Sequence, residues 1–197
     1  MMVKIPRNIT DEDLSTKSAD FTRPIGETTP STYFVLRIAL AKISRQAVDT
    51  CWDIKAVHEP GHTSYSRIMQ LDMMFFDLLE TIPTCLTREQ WSQSQGILVP
   101  PNDEYMKQTL FMHLTTEARR CKIHLPYLLR VQQDPQYNFS RKTCLSSARK
   151  ILRLDYLLPN GTLTENEHGV SKMSGLLPHF FCAIITLVMD VCVKSRC

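Results

Sequence analysis

Glycine is scarce in this chain, with six among 197 residues. That leaves little material for a loop that cradles phosphate, and neither a G-x-x-x-x-G-K-[ST] loop nor a G-x-S-x-G elbow occurs. Cysteine is present, but its pairing is missing. The seven thiols, at 51, 85, 121, 144, 182, 192 and 197, are odd in number and contain no C-x-x-C. They read as reduced core thiols of an intracellular protein, which excludes a disulfide framework and a sequence-local zinc site. The N-terminal MMVKIPRN lacks the apolar core of a signal peptide, so the sequons at Asn8, Asn138 and Asn160 read as chance matches. Cys197 is not at a C-a-a-X position, so no prenyl anchor is implied. Long apolar runs are also lacking. The strongest, LLPHFFCAIITLVMDVCV at 176–193, is broken by Pro178, His179 and Asp190, and it reads as a core helix rather than a membrane span.

Charge is abundant but nearly balanced, at a net +3. Residues 101–160 hold ten Lys or Arg against five Asp or Glu. That excess falls short of the dense, aromatic-interleaved patch of a nucleic-acid binder, so direct DNA contact is not expected of this chain. The 43% hydrophobic and 22% charged composition is that of an ordinary globular domain.

The stretch HEPGH at 58–62 matches H-E-x-x-H, in which two histidines hold zinc and the glutamate activates its water. The chemistry needs a helix, so that His58 and His62 share a face, with Glu59 beside them and Glu80 as a nominal third ligand. Pro60 denies that helix an amide and clashes with the preceding turn, at about 3 kcal/mol, and Gly61 adds about 1 kcal/mol. Pro-Gly is a turn signal, and a metal site is not expected.

Apolar spacing predicts an all-α protein of about five main helices, behind an irregular polar lead-in over 1–28 that contributes nothing to a core. The helical region occupies 29–197. A first helix spans about 30–53, opened by Thr29-Pro30, with Phe34, Ile38, Ala41, Val48 and Trp52 on one stripe and Leu36, Leu40 and Ile43 on another, a pattern that predicts burial on both sides. A second carries Ile68, Leu71, Phe75, Leu78 and Ile82 and stops at Pro83. A third starts at Asn102 and ends before Pro126, with Arg119, Arg120, Lys122 and His124 in its last turn. A fourth runs from Ser140 to about Leu158 with Cys144, Leu145, Ala148, Ile151 and Leu152 on its apolar face. The run at 176–193 is the fifth. Arg45 and Asp72 both fall inside apolar stripes, and the pattern predicts an ion pair between them that fixes helix register. The six histidines are scattered over different elements, with no aspartate or cysteine at a helpful spacing, and Glu117 and Asp155 stand alone. No enzyme is expected, and no cofactor.

Several segments, in order, resemble the regulatory middle region of fungal binuclear zinc-cluster transcription factors. IPRNITDEDL (5–14) resembles its Pro-Arg-Asn…Asp-Glu-Asp-Leu segment, STYFVLRIALAKISRQAVD (31–49) its first long helix, and YSRIMQLDMMFFDLLETIP (65–83) a helix with a Leu-Asp pair and a proline end. The most specific part is FMHLTTEARRCKIHLPYLLR followed by YNFSRKTCLSSARKILRL, which carries Arg119, Arg120, Cys121, His124, Pro126, Arg141 and Cys144 in the family's pattern, in structural roles. The resemblance implies a nuclear, all-α domain that modulates RNA polymerase II transcription through proteins or a small-molecule inducer. It also implies that zinc belongs only to a DNA-reading cysteine cluster, which these residues lack. Relative to the family the chain is expected to be truncated at both ends, leaving 176–193 with an exposed apolar patch that either mediates association between copies or with partners or makes the isolated chain prone to aggregate. A helical ligand-binding or scaffold protein with no transcriptional role is the alternative, because fold does not fix function.

Overall fold

The computed structural model describes residues 4–56, 62–82, 103–132, 134–154 and 174–194. Six helices, with no strand among the described residues, make the fold all-α: α1 (Asp11–Thr16), α2 (Thr32–Ala56), α3 (His62–Thr81), α4 (Asp103–Leu128), α5 (Asn138–Leu154) and α6 (Leu177–Lys194). Five are long, as the apolar spacing predicts. Short 3₁₀ turns at Arg130–Gln132, Pro135–Tyr137 and Ser174–Leu176 lead out of α4 and into α5 and α6.

Helix α4 is the central element and packs against α2, α3, α5 and α6. One of its faces gives Met112, Ile123 and Tyr127 to a cluster completed by Leu36, Ile43 and Ala47 of α2, by Ile68, Leu71, Phe75 and Leu78 of α3, and by Ile82 just past its end. The opposite face gives Leu114, Ala118 and Cys121 to a second cluster with Cys144, Ala148 and Ile151 of α5 and Ala183 of α6. Each fully buried aliphatic or aromatic side chain contributes about 1.5–3 kcal/mol.

Three expectations are corrected. Helix α2 is buried on one face, through Leu36, Ile43 and Ala47, while Phe34 and Val48 of the other stripe are more than half exposed. Helix α4 does not end before Pro126 but runs through it to Leu128. Losing the Pro126 amide costs about 3 kcal/mol in a helix interior, and the buried Tyr127 and Leu128 hold the final turn in place against that loss.

The polar lead-in is also more than a tail. The Thr10 hydroxyl accepts from the Asp13 amide and the Asp13 carboxylate accepts from the Thr10 amide, a capping box that starts α1. Asp13 is buried and takes a forked pair of bonds from Arg23, at 2.6 and 2.8 Å, and Arg23 holds its carboxyl well below the usual carboxylate range. The Asn8 amide, 2% exposed, donates to the carbonyls of Pro24 and Glu27 at 2.9 and 3.0 Å. Its oxygen accepts from Thr29 and Thr32 at 2.6 and 2.8 Å. The lead-in is thereby pinned to the start of α2, and Asn8 is closed to glycosylation in the folded chain.

Candidate functional site

The polar groups of the bundle gather where α3, α4 and α5 meet. Asp72 on α3 is buried, and Arg120 on α4 grips it with both prongs: Nε donates to Oδ1 at 2.5 Å and Nη2 to Oδ2 at 3.0 Å. Planar guanidinium and carboxylate match in this arrangement, the strongest form of side-chain ion pair. One turn further along α4, the ring Nε2 of the fully buried His124 lies 3.0 Å from Asp72 Oδ1. Burial pushes the Asp72 carboxyl up, but His124 and Arg120 outweigh it and hold its pKa at about 2, below the ordinary 3.8. The Arg120 guanidinium also sits over the Phe76 ring, 5.4 Å from its centroid.

The chain of contacts continues into α5 and returns to α3. His124 Nδ1 lies 2.8 Å from Ser140 Oγ, and Ser140 Oγ lies 2.9 Å from the Tyr65 hydroxyl. With the ring proton on Nε2, Tyr65 donates to Ser140 and Ser140 donates to Nδ1, so each hydroxyl in the chain has a partner. Tyr65 packs in turn against Tyr127 and Tyr137, with centroids 5.0 and 4.9 Å away.

Asp72, His124 and Ser140 have the connectivity of a hydrolytic triad, but not its accessibility. His124 and Ser140 are fully buried, and the serine hydroxyl is already engaged on both sides, so a substrate carbonyl has no route to it. The arrangement joins helices rather than activating a nucleophile.

Two further pairs tie α5 to its neighbours. Ser147 and Lys150 donate to the buried Glu117 of α4 at 2.6 and 2.7 Å. Arg141 donates to Asp190 of α6 at 2.7 Å through Nε. Lys150 and Arg141 are therefore spent within the fold, which thins the basic face of α5 to Lys142, Arg149 and Arg153.

A sulfur cluster lies beside these pairs. Cys121 and Cys144 are 3.5 Å apart and both fully buried. The bond with Cys144 pushes the Cys121 thiol up to about 12, and contact with Cys121 raises Cys182 as well. Among the described residues no group of His, Cys, Asp or Glu could hold a metal ion. His58, Glu59, Pro60 and Gly61 of the HEPGH stretch lie outside the described residues, and His62 opens α3.

The expected Arg45–Asp72 pair is corrected. Asp72 is taken by Arg120 and His124, and Arg45 is exposed. Arg45 shares its stripe with Phe34 and Ala41, and that stripe faces solvent rather than α3.

Known proteins resemble this chain along its whole length. It is 32% identical over its full length to the probable transcription factor lepB of Aspergillus flavus, covering 34% of that protein. It is 26% identical over its full length to the agnestins biosynthesis cluster transcription factor AgnL11 of Paecilomyces divaricatus, covering 27% of it. Over 93% of its length it is 27% identical to the Zn(2)-C6 fungal-type transcription factor mpsB of Macrophomina phaseolina, covering 24% of it. Over its whole length this chain is related to fungal zinc-cluster transcription factors. It spans about a third or less of the relatives it matches. No family model and no solved structure matches. The relatives are named as transcription factors, not as enzymes.

The residues that carry the resemblance to zinc-cluster factors fall on the interhelix contacts. Arg120 and His124 meet Asp72, Cys121 meets Cys144, and Arg141 meets Asp190, whereas Arg119 and Pro126 are exposed. The cysteines do not fit a binuclear zinc cluster: they lack its paired spacing, and Cys121 and Cys144 are occupied with one another. Sequence reasoning missed the histidine link because Asp72 and Ser140 are 48 and 16 residues from Arg120 and His124. One signal was available. Arg120 and His124 stand four apart on a helix, so a single carboxylate can reach both.

Among the described residues no helix is long and apolar enough to cross a membrane.

Proposed function

We propose that this chain is a helical regulatory module of the zinc-cluster transcription-factor type. It acts in the nucleus on RNA polymerase II transcription, through contacts with other proteins or a small-molecule inducer, and contributes no DNA-reading surface of its own. The observation that carries this reading is full-length relationship to proteins named as transcription factors. Two features support it. Among the described residues the bundle interior is filled by side chains and closed ion pairs, and the basic residues Arg120, Arg141 and Lys150 are paired with buried carboxylates. One relative is named for a biosynthesis cluster, and control of such a cluster is the corresponding proposal for this chain.

The test is a tethering assay in a filamentous fungus. The chain is fused to an unrelated DNA-binding domain upstream of a reporter, beside the same fusion carrying Asp72→Ala to disrupt the bundle. Reporter output that changes several-fold with the intact chain and returns to baseline with the variant supports the reading. Unchanged output with well-expressed nuclear fusion protein overturns it in favour of a scaffold or ligand-binding role outside transcription.

A further inference from the structure

Helix α6 has two unlike faces. Ala183, Thr186 and Asp190 are buried against α4 and α5, with Asp190 held by Arg141. The opposite face exposes Leu177, Phe181, Ile184, Val188 and Val191, with Ile185 beside them. The first five follow one another at intervals of four, three, four and three, the heptad spacing of a helix that pairs with another helix. Phe181 and Val191 are 68% and 65% exposed, too much for a stripe of this composition to be an incidental surface.

We infer that this face is where a second copy of the chain docks, with the two α6 helices antiparallel about a two-fold axis between Ile184 and Ile185. Three observations single out that occupant. The stripe is complementary to itself under this rotation: Phe181 meets Val188 of the second copy, Leu177 lies near Val191, and the isoleucines meet at the axis, so large residues at one end face small ones at the other. An open apolar groove of about 660 Å³ lined by Leu125, Leu177, Pro178, Phe181, Cys182 and Ile185 receives the valines of the opposing copy. The acid of the helix, Asp190, is on the buried side under Arg141, and antiparallel helices oppose their dipoles favourably.

Area is sufficient as well. Six apolar side chains at 45 to 68% exposure present at most roughly 600 Å² per copy. Two copies together bury at most roughly 1,200 Å², the lower edge of stable interfaces. Such an isologous contact closes on itself and stops at two. The inference does not rest on the transcriptional reading: a pairing with no effect on transcription leaves it intact, and a regulatory module that stays monomeric leaves the other intact.

Sedimentation equilibrium of the full chain tests it, with Phe181→Glu and Val188→Lys as variants. The wild-type protein should shift from one to two chain masses as concentration rises. Each variant places a charge in the apolar seam and should weaken self-association about 100-fold. An equimolar mixture of the two variants should recover most of the wild-type affinity. In the antiparallel register the glutamate introduced into one copy meets the lysine introduced into the other, while the second Phe181–Val188 contact is unchanged. Helical circular dichroism equal to wild type shows that each exposed-site variant still folds. A wild-type chain that stays monomeric, single variants that associate as wild type does, or a mixture that stays monomeric each overturns the inference. The last would also be the result of a parallel pairing.

Discussion

Asp72 is the side chain on which the polar interior depends. Three groups on two other helices converge on it or on its histidine partner, and removing it leaves the Arg120 guanidinium nearly buried and uncompensated. Breaking one side of a buried pair costs about 3–5 kcal/mol. Asp72→Leu should therefore lower the free energy of unfolding by about that amount, and adding Arg120→Met should return part of it, as measured by denaturant titration of the single and double variants. The pH dependence has a definite sign. In the fold the carboxyl stays ionised down to about 2, while in the unfolded chain it protonates near 3.8. Its contribution, about 2 kcal/mol, is present above the unfolded-chain value and is lost as pH falls from about 4 towards 2. Asp72→Leu should flatten the stability curve across that window, and an unchanged slope would show that the carboxyl is not held low. At this scale the sequence announces the anomaly but not its resolution. A carboxylate among Ile68, Leu71 and Phe75 demands a partner, yet Arg45 and Arg120 both sit on apolar helices. Only the rotation of α2, set by which of its two stripes faces the core, decides between them.

At the scale of elements, helices were the legible part. The spacing of Ile68, Leu71, Phe75, Leu78 and Ile82 fixes both the presence of α3 and the face it buries. Helix α2 was ambiguous because two apolar stripes competed, and periodicity carries no information on which neighbour exists to cover each. The order of the lead-in is hidden from periodicity for a different reason: beyond the local capping box it comes from hydrogen bonds at separations of ten to twenty-four residues, which leave no period in the sequence. Asn8 gives that account a test. Its side chain satisfies two carbonyls and two hydroxyls in a buried position. At about 1 kcal/mol net per bond, Asn8→Ala should loosen the segment by about 2–4 kcal/mol. Because the damage is local, trypsin cleavage after Lys17 should accelerate at least tenfold while the melting of the helical bundle changes little. Cleavage at the wild-type rate would mean that Thr22 and the Asp13–Arg23 pair hold the segment without Asn8.

The whole molecule is organised around α4, whose two faces feed two separate apolar clusters. A helix is too stiff to lose one face and keep the other, so the clusters should unfold as one cooperative unit even though they share little else. Ile151 is fully buried in the cluster of α4, α5 and α6 and does not belong to the one built on α2 and α3. Ile151→Ala removes three carbons there and should cost about 2–5 kcal/mol. If α4 couples the halves, hydrogen exchange of the slowest amides around Ile68 and Phe75, far from the substitution, should speed up by the same free energy as those around Cys144 and Ala148. Equal losses of protection on both sides mean that a signal reaching the α6 face is felt at the Asp72 site. If exchange accelerates in α5 and α6 alone, the chain is two stability units joined by a shared helix, and communication between those two regions needs a different route.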